Sequence, residues 1–281
     1  MNRSRYYSAA LLFVLISLGG CQPLPSGADR GKNIIDAAEQ RGWRAKTIDS
    51  GMFALTTLAP QQQITSDTLW VYIEGDGLAW LSRSRPSDDP TPSTAMGLKL
   101  AMADQQHQRV YLGRPCQYSA ALSTGCDKQY WLQGRFNETV VAAMDDGIEQ
   151  LKGDYSAQHI VLVGYSGGGA IASLLAARRD DVSLLITVAG NLNHRQWTEI
   201  KNISPLTTSL NPIDSVTAIT APQWHFYGSE DNIMPLATLQ SYQAAQPINN
   251  RMVETDNGHG CCWDVQWPQL LDRIAKKNPV K

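Results

Sequence analysis

Residues 159–170 read HIVLVGYSGGGA, and this stretch decides the fold of the chain. Its first five residues are mostly apolar and β-branched, which predicts a buried strand of the parallel-sheet type. A small, apolar run at 168–178 predicts a helix. The turn between strand and helix carries Ser166 at its tip, with the hydroxyl exposed. The residues two positions to either side, Gly164 and Gly168, must be small to avoid colliding with such a turn.

Strand and helix patterns alternate along the chain on both sides of this turn. Apolar, β-rich runs predict strands at 69–73, 109–112, 184–188, 223–227 and 251–255, and one or two more within 43–58. Helical spacing occurs at 33–41, 93–103, 135–151, 235–244 and 264–276. Repeated β-α order predicts one α/β domain over residues 33–281, with a mostly parallel sheet covered by helices on both faces. Residues 82–92 and 113–132 are predicted loops, and 191–220 a small cover region.

Two further segments follow predicted strands, where chemistry collects in such sheets. Residues 228–235 read GSEDNIMP and contain Asp231, and residues 257–260 read NGHG and contain His259. With the Ser166 turn, these segments resemble, in the right order, the α/β-hydrolase superfamily of serine hydrolases such as esterases and lipases. The resemblance runs from about residue 68 to the C-terminal helix. It implies Ser166 as nucleophile, His259 as general base and then acid, and Asp231 as the group that orients His259.

Other interpretations of these segments stay open. Glu230 and Asp214 are alternatives to Asp231, although Glu230 is one residue off the pattern and Asp214 precedes a strand. Of the five histidines, only His259 follows the last predicted strand, whereas His194 lies in the predicted cover and could bind substrate. A phosphate-binding loop at 164–168 would lack the lysine of a Walker motif.

The resemblance also implies an oxyanion hole formed by two backbone N–H groups. One belongs to Gly167, and the other to Asp76 in the segment Glu74-Gly75-Asp76-Gly77, where many relatives begin with His-Gly. Two acids beside a developing anion are an unusual departure from the family pattern. A plain turn and a calcium site are the alternatives, but further acids at ligand spacing are missing.

The N-terminus predicts export. Residues 1–20 combine two arginines, an apolar run of about ten residues and Leu18-Gly19-Gly20 ahead of Cys21, which resembles the signal peptide and lipobox of bacterial lipoproteins. The resemblance implies cleavage before Cys21, lipidation of Cys21, and a flexible tether over 21–32. By resemblance to enteric lipoproteins, Gln22 after the cysteine favours the outer membrane over the inner one, with the domain facing the periplasm. An ordinary signal peptide or a buried helix is the alternative.

The four remaining cysteines are disulfide candidates, because an exported protein meets oxidising conditions. They are Cys116, Cys126, Cys261 and Cys262, which allow three connectivities. We expect a Cys116–Cys126 bridge across a loop. A bond between the adjacent Cys261 and Cys262 would lie next to His259 and could fix it in place. Their spacing does not fit a zinc site.

The expected activity is hydrolysis through an acyl-enzyme at Ser166, first of all on carboxylic esters of small or lipid-like acyl substrates. Thioesters and amides use the same machinery, and a non-catalytic binding lipoprotein of the same fold stays the alternative of another class. No metal and no organic cofactor is implied. The formal net charge is −2, without a basic stripe, which argues against nucleic acid as a partner.

Overall fold

The computed structural model describes residues 24–118 and 123–277. The predicted signal peptide and the lipidation site Cys21 lie outside the described residues. Within the described part, no helix combines the length and the apolar character that crossing a membrane requires.

Strands and helices alternate along the described chain. The strands are β1 Trp43–Ser50, β2 Phe53–Pro60, β3 Thr68–Ile73, β4 Trp80–Ser82, β5 Arg85–Pro86, β6 Arg109–Leu112, β7 His159–Tyr165, β8 Val182–Val188, β9 Gln223–Gly228 and β10 Asn250–Thr255. The α-helices are α1 Gly27–Glu39, α2 Met96–Ala103, α3 Glu138–Asp154, α4 Gly167–Ala176, α5 His194–Lys201, α6 Leu236–Ala245 and α7 Trp263–Lys277.

Eight strands form one sheet in the order β1-β2-β6-β3-β7-β8-β9-β10. The strands from β6 to β10 in this order run parallel, and β2 pairs antiparallel with both β1 and β6. The mostly parallel sheet predicted from the sequence is therefore confirmed. Because β3 and β7 are neighbours at its centre, the turns that follow them meet at one edge, where Glu74-Gly75-Asp76-Gly77 faces Ser166.

The side chains of each strand alternate between two cores, as the pleat of a strand requires. In β3, Leu69, Val71 and Ile73 face a core that also contains residues of α3 and α4. Trp70 and Tyr72 face the opposite core, built with residues of α1, α2 and α7. Helices therefore cover both faces of the sheet, which fixes the central strand ends rigidly.

The start of the domain differs from the sequence prediction. Helix α1 begins at Gly27, so residues 27–32, predicted as part of a flexible tether, are helical. Ser26 caps the helix by accepting a hydrogen bond from the N–H of Asp29 at 3.1 Å. Arg30 is buried and donates to the backbone carbonyls of Pro25, Asp89 and Thr91. The glycines and prolines of this stretch suggested flexibility, but the cap and the buried arginine order it.

Two other segments carry more structure than the sequence indicated. The predicted loop 82–92 begins inside a small hairpin of β4 and β5, whose strands are too short to show periodicity. The predicted cover region 191–220 contains α5 and two 3-10 turns, Pro212–Asp214 and Val216–Ala218.

Candidate active site

Ser166 lies between β7 and α4 in a backbone conformation that non-glycine residues rarely adopt. Its φ is 51° and its ψ is −116°. The surrounding backbone holds this conformation, because the Ser166 N–H donates to the Val188 carbonyl at 2.9 Å and its carbonyl accepts from the N–H of Asn191 at 3.0 Å. Such strain persists only where neighbouring structure imposes it, and it is typical of functional sites.

The glycines around Ser166 are required by close backbone contacts. A Cβ on Gly164 would lie 2.3 Å from the carbonyl oxygen of Gly168, and a Cβ on Gly168 would lie 2.4 Å from that of Ile73. No side chain fits at these distances. The sequence prediction that both positions must be small thus has a direct steric reason in this turn.

Three side chains from separate loops meet at the carboxyl edge of the sheet. The Nε2 atom of His259 lies 3.0 Å from the Oγ of Ser166, and its Nδ1 atom lies 2.8 Å from the Oδ2 of Asp231. Ser166 is 8% exposed, and the side chains of His259 and Asp231 are 17% and 3% exposed. The hydroxyl, the imidazole and the carboxylate form one continuous chain of hydrogen bonds that solvent reaches at Ser166 and His259.

The Asp231 carboxylate is held by its own loop. Its Oδ1 accepts hydrogen bonds from the N–H groups of Ile233 and Met234 at 2.8 and 2.9 Å. Burial acts to raise the pKa of Asp231, but the hydrogen bond and charge of His259 and these two N–H groups outweigh burial and hold the pKa below its ordinary value. An ionised Asp231 fixes the imidazole with Nδ1 protonated and Nε2 free to face Ser166.

The alternative residues have other partners. Asp214 forms an ion pair with Arg195 on the surface. Glu230 is exposed, and in the described structure it forms no ion pair with His259. Of the other histidines, His107 pairs with Asp104, His194 with the Leu210 carbonyl and His225 with Thr187, while His159 is exposed. His194 is buried within the 191–220 region, and this burial lowers its pKa.

Two aromatic residues outside the Ser166, Asp231 and His259 set hold the His259 loop. The hydroxyl of Tyr165 and the Nε1–H of Trp263 both donate to the His259 carbonyl, each at 3.0 Å. Trp263 is buried. Trp263 is an anchor beneath His259. Tyr165 could have been found from its place directly before Ser166.

The acidic loop after β3 is less negative than its sequence indicates. Glu74 is 1% exposed and accepts hydrogen bonds from the N–H groups of Gly75 and Gly97. Burial raises the pKa of Glu74 to about 7, against the opposing effect of these N–H donors. Asp76 forms ion pairs with Arg114 and Arg135, and these guanidinium groups overcome its burial and hold its pKa below the ordinary value.

The two residues expected to supply the oxyanion hole, Gly167 and Asp76, lie against each other. Gly167 is the first residue of α4, so its N–H has no acceptor within the helix and lies at the positive end of the helix dipole. Asp76 lies against it: its Oδ1 would be 2.0 Å from a Cβ on Gly167. The turn after β3 and the turn after β7 therefore approach each other next to Ser166.

The structure joins Cys116 to Cys126, with their Cα atoms 5.6 Å apart, and joins Cys261 to Cys262. The first bond closes the loop that begins with Arg114. The second lies between His259 and Trp263, within the segment that the two aromatic donors hold. Among the described residues, no group of three or more potential side-chain ligands forms a metal site.

The fold is similar to solved α/β hydrolases. An esterase from Pyrococcus furiosus superposes with a TM-score of 0.60 at 11% identity, covering 85% of this chain and 94% of its own. An α/β serine hydrolase without a lid from Xanthomonas campestris gives 0.57 at 12% identity, with 85% and 96% covered. A putative dienelactone hydrolase from Klebsiella pneumoniae gives 0.55 at 14% identity, with 83% and 99% covered.

By sequence, neither a protein-family model nor a curated protein matches this chain. The structural similarity and the sheet order nevertheless define the class: the chain has the α/β-hydrolase fold, as the sequence predicted.

Proposed function

We propose that the protein is a serine hydrolase that acts through an acyl-enzyme at Ser166. One observation carries the proposal: the Ser166 hydroxyl, at a strained turn, is linked through His259 to an ionised Asp231 by contacts of 3.0 and 2.8 Å. An isolated serine is a weak nucleophile, and an adjacent base that a third group orients is the arrangement that activates it. The hydrolases among the structural neighbours are consistent with this chemistry.

The reaction proceeds in two halves. His259 Nε2 takes the proton of the Ser166 hydroxyl while Oγ attacks the carbonyl carbon, and the carbonyl oxygen becomes an oxyanion facing the N–H groups of Gly167 and Asp76. His259 then gives its proton to the leaving group, and the acyl group stays on Ser166. A water molecule, deprotonated by His259, attacks the acyl-enzyme and releases the acid. Asp231 stays ionised and stabilises the imidazolium in both halves.

Carboxylic esters are the proposed substrate class, and small or lipid-like acyl groups the proposed range. Two of the neighbours above are described as an esterase and a putative dienelactone hydrolase, which supports an ester bond. Thioesters and amides need the same residues. A panel of p-nitrophenyl esters of increasing acyl length, acyl thioesters and aminoacyl amides separates them, and the proposal expects the highest kcat/KM on an ester.

The decisive experiment is labelling with a fluorophosphonate probe, which reacts with activated serines. Wild-type protein should be labelled at Ser166, Ser166→Ala should not, and His259→Ala should react far more slowly. Ser84→Ala, which removes an exposed hydroxyl from the β4–β5 turn, is the matched control and should be labelled like wild type. If the folded wild-type protein does not react, the hydrolase proposal fails and a binding protein with the same fold is favoured.

We also propose that Cys21 anchors the domain by a lipid to the outer membrane, facing the periplasm. The support is the sequence of residues 1–22, with its basic start, apolar run and Gly19-Gly20-Cys21. Intact-mass analysis of the mature protein should find an N-terminal diacylglyceryl cysteine, and Cys21→Ala should release the domain from the membrane fraction. A mature protein cleaved elsewhere and lacking lipid would contradict this.

A further inference from the structure

Asp76 places a carboxylate against Gly167, the residue whose N–H is proposed to face the oxyanion. Its Oδ1 and Cγ atoms would lie 2.0 and 2.6 Å from a Cβ on Gly167, the residue that follows Ser166. At such short range, an uncompensated carboxylate would oppose an oxyanion at Ser166. A hydrolase with this loop needs a means of cancelling that charge.

Two arginines from other loops contact this carboxylate, one on each oxygen. Arg114, directly after β6, donates from Nη1 to Asp76 Oδ1 at 2.5 Å. Arg135, just before α3, donates from Nη1 to Asp76 Oδ2 at 2.6 Å. Both arginine side chains are almost fully buried, at 4% and 6% exposure, and Arg114 Nη2 also donates to the backbone carbonyl of Arg135. The three side chains, named here the Asp76 cluster, join the loops on both sides of Gly167.

The cluster carries a net positive charge. Arginine stays protonated in proteins, and Asp76 is ionised at neutral pH because its pKa is lowered. Two positive charges and one negative charge leave +1 beside Gly167. The Nη1 atom of Arg114 itself would lie 2.9 Å from a Cβ on Gly167.

The composition of the cluster is difficult to explain by stability alone. Burying charges is costly, and apolar side chains of similar volume are often as stable as a buried ion triad. Arg114 also buries its Nε–H, for which the described residues supply no acceptor. A buried donor without a partner costs about 1–3 kcal/mol. Apolar side chains could brace these loops at a lower cost, which favours a role for the charge itself.

We propose that Arg114 and Arg135 are positioning residues of the oxyanion site, which hold Asp76 against Gly167 and outweigh its charge. This inference rests on the proposed function. The oxyanion forms only after attack, so the positive charge stabilises the transition state more than the neutral ester. The cluster therefore supports kcat and has little effect on KM.

The test varies the charge of the cluster at one contact. Arg135→Met leaves a net charge of zero, and kcat for the best ester should fall roughly 10- to 100-fold with KM nearly unchanged, in the range of losing part of an oxyanion contact. Arg135→Lys keeps the charge and should retain most of kcat. In Asp76→Asn/Arg135→Met, the net charge is again +1, the amide oxygen still accepts from Arg114, and kcat should recover most of the loss.

The outcomes separate this inference from the proposed function. If wild type is not labelled by the fluorophosphonate, the proposed function fails first. If wild type is labelled but the double variant is no faster than Arg135→Met, the arginines act only as a brace and the inference is overturned. Circular dichroism and thermal melting show which variants fold. If Arg135→Met does not fold, Arg114→Lys is used in its place. A retained kcat in Arg114→Lys supports the role of the charge. A loss of kcat as large as that of Ser166→Ala overturns it.

Discussion

Replacing Glu74 with glutamine should change how the stability of the protein depends on pH. Glu74 is buried in the turn after β3, and burial raises the pKa of its carboxyl from 4.5 to about 7. The folded protein therefore keeps a proton on Glu74 at pH values where the unfolded chain has released it. Glutamine mimics the protonated form, since its amide oxygen accepts from the N–H groups of Gly75 and Gly97.

The sign and size follow from proton linkage. The contribution of protonated Glu74 is fully present below pH 4.5 and is lost as pH rises through the folded-state pKa of about 7. The difference between the unfolded-state and the folded-state pKa of Glu74 corresponds to about 3 kcal/mol, because each pKa unit is worth ~1.4 kcal/mol. The free energy of unfolding of Glu74→Gln minus that of wild type should thus increase by about 3 kcal/mol from pH 4.5 to pH 8 and be flat outside this range.

Urea unfolding followed by tryptophan fluorescence, at half-unit steps from pH 4 to pH 8.5, measures this difference. Glu39→Gln is the matched control: its side chain is exposed at the end of α1, and its curve should run parallel to that of wild type. If the Glu74→Gln and wild-type curves are also parallel, the pKa of Glu74 is the same in the folded and the unfolded protein, and Glu74 is ionised at neutral pH. The account of a partly neutral loop would then be wrong.

Three further substitutions test the geometry of the site. Gly168→Ala should destabilise the protein by about 3 kcal/mol or prevent folding, because the new methyl group would lie 2.4 Å from a β3 carbonyl. The control is Gly153→Ala, where a Cβ meets nothing within 4 Å, and its Tm should be unchanged or slightly higher. Asp231→Asn should lower kcat by about 10³- to 10⁴-fold without unfolding the protein, and a smaller loss than tenfold would remove this carboxylate from the proposed triad. Tyr165→Phe deletes one of two donors to the His259 carbonyl and should cost about 1 kcal/mol in kcat/KM; an unchanged rate would show that the remaining donor suffices.

The parts of the fold that could be predicted are those encoded by local patterns. The strand over residues 109–112 has the bounds expected for it, because Val110, Tyr111 and Leu112 form an apolar, β-prone run that ends at a glycine. The β4–β5 hairpin could not be found, since strands of three and two residues are too short for periodicity. The early start of α1 was missed because it depends on Arg30, whose three carbonyl acceptors include two that lie about sixty residues away.

The residues of the candidate site also divide into those that local sequence predicts and those that only the fold brings together. Ser166, Asp231 and His259 each stand in a short segment with its own signature, and chain order was enough to predict that they meet. Trp263 has no such signature, and Tyr165 has only its place directly before Ser166. Their role depends on a single backbone carbonyl, that of His259, which only the folded arrangement of β7 and α7 brings within 3.0 Å of both donors.

The electrostatics of the loop after β3, the proposed oxyanion loop, depend even more on the fold. Read as residue types, Glu74-Gly75-Asp76-Gly77 carries two negative charges. In the folded protein, burial leaves Glu74 about half protonated at pH 7, and Asp76 lies between two guanidinium groups that come from residues 38 and 59 positions further along the chain. The local charge therefore lies between 0 and +1. A sequence motif specifies where its backbone N–H groups point. The sign of the electrostatic potential around those groups is set by side chains that the motif does not contain. For that reason, a loop with an acidic sequence is compatible with an oxyanion site.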